Sequence, residues 1–160
     1  ENIMATNIRE EIDKALMDSL QASSLIQLVT REFVGVDMET GAIEGISHME
    51  MPAVIVNTGN ETGYVEIPGG KTRARYSPEI VGYVYDEDEY FTELNELIAE
   101  TKKMLFASRR VMHGGACVGI LNGLSALTTD RGRLAPYGAF SMTLEILYDY
   151  ETVTGGELGT

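Results

Sequence analysis

The chain has 160 residues, enough for one domain whose core needs neither metal nor disulfide to hold it. Its apolar content of 44% is ordinary for a globular protein, and no apolar run approaches the roughly 18 residues that span a bilayer, which excludes a helical membrane protein. Lys and Arg number 12 against 25 Asp and Glu, and the net charge of -13 opposes wrapping on a phosphate backbone, which excludes sequence-specific nucleic-acid binding.

Cys117 is the only cysteine, so there is no internal disulfide framework and the usage fits a reducing compartment. The opening ENIMATNIREEI lacks the basic-then-apolar order of a signal peptide, with Met4 reading as a natural start, so synthesis in a cytoplasm is expected.

In IREEIDKALMDSL, Ile8, Ile12, Ala15, Leu16 and Leu20 fall on one face at helical spacing. Asn7 and Glu10 have the spacing of a capping box, and the early Glu10, Glu11 and Asp13 suit the positive end of the helix dipole. After Ala22, Ser23 and Ser24, the run LIQLVTREFVGV predicts a strand with Ile26, Leu28 and Val29 inward. Gly41 and Gly45 mark a loop, and MPAVIVNTG supplies a short apolar strand at Ala53 to Val56.

Pro68 with Gly59, Gly63, Gly69 and Gly70 predicts that residues 57–72 form an extended excursion between two strands. Its GGKT looks like the end of a phosphate-binding loop. That loop needs a further glycine where Val65 stands, and a helix immediately after the motif. Pro78 and the strand-like run Ile80, Val81, Tyr83, Val84, Tyr85 follow instead, so no nucleotide site is expected.

Asp86 or Asp88 can cap the second helix, DEYFTELNELIAETKKMLFASRR, whose predicted apolar face is Phe91, Leu94, Ile98 and Leu105, widened by Leu97 and Met104. Capping explains the acidic cluster Asp86 to Glu89 more simply than a calcium loop, because the central glycine and distal glutamate are missing. Residues 111–138 are glycine-rich and give no clear pattern. From Phe140 to Tyr150 apolar and polar residues alternate, which predicts a long half-buried strand. Residues 152–160 have no packing pattern and are expected to be a flexible tail. The whole predicts one α+β domain over 1–160, a mostly antiparallel sheet with helices packed on one face.

Candidate chemistry is thin. His113-Gly114-Gly115 resembles an esterase oxyanion loop, but Ser125 in NGLSAL lacks the second glycine of a nucleophile elbow. Cys117 could be activated by His113, although a buried structural cysteine is the simpler reading. His48 and His113 are the only imidazoles. No catalytic, cofactor-binding or metal-binding residue is singled out, and no enzyme activity is expected. Tyr83, Tyr85, Tyr148 and Tyr150 alternate on two strands and suit an interface, with sheet packing as the simpler use.

The opening helix NIREEIDKALMDSL, the strand beginning MPAVIVNTG, the strand EIVGYVYDED leading into DEYFTELNELIAETKKML, and the closing FSMTLEILYDY together resemble the tail terminator and tail completion proteins of tailed bacteriophages. The likeness covers most of residues 6–151. It implies a structural virion protein without cofactor, forming a homohexameric ring at the head-proximal end of a tail, assembled in the host cytoplasm. The ring would end tail-tube polymerisation and meet a neck or connector protein, and an acidic lumen would let DNA pass without specific binding. On this reading residues 57–72 reach a neighbouring subunit, the tube or the channel, with Tyr64, Lys71, Arg73 and Arg75 as interface residues; an exposed disordered hairpin is the alternative. A head-completion or head–tail joining protein, or a small binding or thiol-dependent enzymatic domain, are the competing functions.

Overall fold

The computed structural model describes residues 7–31 and 45–157. In chain order it contains α1 (Ile8–Gln21), β1 (Leu28–Thr30), a 3-10 turn (His48–Glu50), β2 (Ala53–Ile67), β3 (Lys71–Tyr85), α2 (Tyr90–Leu105), β4 (Arg110–His113), β5 (Ala116–Thr129) and β6 (Tyr137–Glu151). The strands form one sheet in the order β1-β2-β3-β6-β5-β4, with only the β1–β2 pair parallel. The α+β expectation is met.

Two long strands at the centre explain the sheet. β3 and β6 pair from Lys71 opposite Glu151 to Tyr85 opposite Tyr137, so the alternation along β6 turns Phe140, Met142, Leu144, Ile146 and Tyr148 to one face. Both helices pack on that face. α1 touches β1 and β2 on one flank and β4 and β5 on the other, so the sheet curls around it, while α2 lies over β3 and β6. Ile12, Leu16 and Leu20 enter the same core as Leu94, Leu97, Ile80 and Met142. On the opposite face Ile46 and Met51 cover Ala53, Ile55 and Tyr83.

The caps are where the residue types place them. The Asn7 side chain accepts from the Glu10 N–H at 2.9 Å. Before α2, one oxygen of Asp86 accepts from the Asp88 and Glu89 N–H groups, both at 2.8 Å. The buried stripe of α2 is Leu94, Leu97, Thr101 and Leu105, whereas Phe91, predicted on the apolar face, is 57% exposed. That stripe runs at spacings of three and four residues without needing the first turn.

Residues 57–72 are not an irregular excursion. β2 continues to Ile67 and β3 already begins at Lys71, leaving Pro68, Gly69 and Gly70 as the turn. The glycines upstream accommodate irregularities within a strand instead of ending it. Register shifts separate Asn57 from Asn60 and Thr62 from Val65. At Gly59 a Cβ would lie 1.7 Å from the Ser77 carbonyl oxygen, so no larger residue fits the strand there. Residues 152–157, expected as a flexible tail, turn back at Gly155 and Gly156: the Ile8 N–H donates to Gly156 O at 3.0 Å, and the Thr152 N–H to Gly70 O at 3.0 Å. Residues 158–160 lie outside the described residues. The unpatterned stretch 111–138 contains β5 and the 130–136 loop, which Asp130 organises by accepting from the Leu134 and Ala139 N–H groups.

Candidate interface and the polar network behind it

Among the described residues β1 covers β2 only at Ala53 to Ile55, which leaves the outer half of β2 as a sheet edge there. From Thr62 to Glu66 every residue is exposed, with Tyr64 at 59% and Val65 at 56%. An exposed edge carrying an aromatic and a branched apolar side chain is a pairing liability that a lone molecule would ordinarily blunt with charge or cover.

The structure brings Lys71, Arg73 and Arg75 onto the same strand face, as their alternate spacing requires, and interleaves them with acids from β6. Arg73 grips Asp149 with Nε at 2.7 Å and a second nitrogen at 3.1 Å, and Arg75 Nε lies 3.1 Å from Glu145. The Arg73 hydrogen bond holds the Asp149 carboxyl below the usual carboxylate range. The predicted basic strip is therefore largely neutralised within its own chain. Tyr64 lies in the bulge between Thr62 and Val65.

Sequence reasoning missed the polar network under α1. Asp13, 1% exposed, accepts from the Tyr76 hydroxyl at 2.6 Å and from Arg31 at 3.1 Å, and Arg31 also pairs with Glu10. Tyr76 O lies 2.9 Å from Thr58 Oγ1 and accepts from the Gly59 N–H. Arg9 sits over the Tyr76 ring, 4.6 Å from its centroid, and pairs with Glu61 at 2.7 Å. Glu61 in turn accepts from the Tyr148 hydroxyl at 2.6 Å. Burial pushes the Asp13 carboxyl up, against the pull of Tyr76 and Arg31. Burial, then the hydrogen bond to a carboxylate, pushes both tyrosine hydroxyls up.

A signal for this network was present. Tyr76 shares the inward parity of Ile80, and Tyr148 that of Ile146, so both hydroxyls had to find partners inside. Arg9 and Asp13, four residues apart on the border of the α1 stripe, are the residues that reach them.

The candidate chemical groups do not converge. His113 Nε2 pairs with Glu11 of α1, while Cys117, expected to be buried, is exposed, with its thiol directed at Gly119 O at 3.4 Å. The two lie on either side of the Gly114-Gly115 turn, where the exposed backs of a hairpin leave the small thiol uncovered. His48 stacks with Tyr85 at 4.8 Å between ring centroids, and Ser125 Oγ donates to Thr143 O. In GGKT, Lys71 and Thr72 are strand residues, and Thr72 Oγ1 lies 2.7 Å from Thr152 Oγ1. Tyr83 and Tyr148 are buried and serve packing. Among the described residues no group of three or more His, Cys, Asp or Glu is placed to hold a metal, and no helix is long and apolar enough to cross a membrane.

No family model matches the chain, and no curated protein matches it. Among solved structures, a chain of the virion of a native gene transfer agent particle aligns over 89% of this chain and 98% of that one, with a TM-score of 0.47 and 14% identity. A likeness of that degree carries no inference about function.

Proposed function

We propose that this chain is a structural subunit of a phage-type virion, a tail terminator that closes into a ring at the head-proximal end of the tail and has no catalytic role. The observation that carries the reading is the outer half of β2, where Tyr64 and Val65 stand exposed on a strand edge that no other element among the described residues covers. Such an edge is accounted for when a neighbouring subunit or the tail tube completes it. The sequence resemblance to tail terminators supplies the context and the number six for the ring. An acidic chain of net charge -13 also suits a channel through which DNA slides without adhering.

The test is tail length, measured by negative-stain electron microscopy in a lysate lacking this protein and again after adding it back. Over-long or variable tubes that return to one length on addition are the expected result. Tails of normal length detached from heads would overturn the terminator reading in favour of a neck protein.

A further inference from the structure

Positive charge in this acidic chain is unevenly used. Arg9, Arg31, Arg73 and Arg75 each pair with a carboxylate of their own chain. Lys102, Lys103, Arg109 and Arg110, at the C-terminal end of α2 and the start of β4, are all exposed, and no carboxylate partner is found for them among the described residues. Beside them lies an apolar cleft between the helix ends and β4, lined by Leu16, Met104, Ala107, Met112 and Leu121. Met112 is 45% exposed, unusual for so large an apolar side chain beside so much charge.

The other end of α2 is the complement. Phe91 stands 57% exposed, braced by Tyr90 with ring centroids 4.1 Å apart. Glu87, Asp88 and Glu89 precede it, all exposed. Arg131 and Arg133 flank Gly132, which packs on Tyr90 and Phe91, and they reduce this negative charge without cancelling it.

We propose that these two ends form one contact between copies of this chain: Phe91 of one subunit enters the apolar cleft of the next, and Asp88 and Glu89 meet Lys102, Arg109 and Arg110 around it. From Phe91 to Met104, α2 holds knob and cleft about 20 Å apart, so a subunit cannot satisfy itself. Joining unlike patches is heterologous and propagates until a ring or filament forms. The proposal deepens the ring reading and rests on it. Helix-dipole preference alone explains acids at the start of α2 and bases at its end. It does not explain an exposed phenylalanine at one end and an open apolar cleft at the other.

The full chain is purified and its mass followed by analytical ultracentrifugation against concentration at low salt. Three variants are compared: Phe91→Ser, the pair Lys102→Glu with Arg110→Glu, and the pair Asp88→Lys with Glu89→Lys, each checked for native circular dichroism. Wild type is expected to assemble, and each variant alone to associate at least about tenfold more weakly. Mixing the two charge-reversed variants should restore assembly, because the reversed ends then attract each other in alternation. Charge-reversed variants that assemble as wild type does would overturn this contact while leaving a ring through another surface intact. A wild type that stays monomeric at every concentration would also overturn it, and tail length would still judge the terminator reading separately.

Discussion

Asp13 sets an acid inside the α1 seam, where apolar residues would fill the space more cheaply. The carboxyl is 1% exposed, and burial raises its pKa although Tyr76 and Arg31 pull the other way. The folded chain therefore holds this proton more tightly than the unfolded chain does. The stability contributed by the group is full below its ordinary value of 3.8 and is lost as pH rises through the higher folded value. Asp13→Asn keeps an oxygen for the Tyr76 hydroxyl and cannot ionise. The melting temperature of the variant minus that of wild type should thus become more positive from about pH 4 to about pH 8, read from thermal unfolding at several pH values. A difference that stays flat, or falls, would mean that Arg31 dominates and that the carboxyl ionises as easily folded as unfolded.

Between elements, the decisive tie joins the two ends of the described chain. Residues 152–157 connect the β2–β3 turn to the first turn of α1, through Thr152 to Gly70 and Ile8 to Gly156. The first N–H groups of a helix have no partner within it, so this segment supplies one. A chain ended at Glu151 should lose about 2 kcal/mol, at about 1 kcal/mol net for each of the two bonds. Hydrogen exchange should locate the loss, with the Ile8 amide accelerated and the Leu16 amide little changed. Equal acceleration at both would show that the segment supports the whole helix. This tie was illegible in TVTGGELGT because it is made by backbone atoms at glycines, and a backbone acceptor leaves no residue-type signature. The same holds for residues 57–72, where glycines read as loop serve register shifts within a strand. Periodic elements were legible: the α1 stripe and the β6 alternation each follow from apolar spacing, which the core enforces. In α2 spacing placed Leu94 and Leu105 inside and misplaced Phe91, because the first turn of a helix can overhang the surface it packs on.

The molecule as a whole separates its charges by role. Four arginines are spent within the chain, two of them on the strip beside Tyr64 that the sequence alone suggested for an acidic partner. Only the side chains across the sheet, Asp149 and Glu145, decide that this strip is neutralised, and their pairing with β3 depends on a register no linear pattern reveals. Four of the remaining basic residues gather in the corner at Lys102 to Arg110 on a chain of net charge -13. A duplex approaching that corner meets a few phosphate contacts against repulsion from everything around it, and salt weakens each contact further through counterion release. A fluorescent duplex should therefore show no saturable binding to about 10 μM chain at about 150 mM salt, followed by anisotropy. Retention of the duplex with loss on Lys102→Glu with Arg110→Glu would reassign the corner from a neighbouring subunit to nucleic acid.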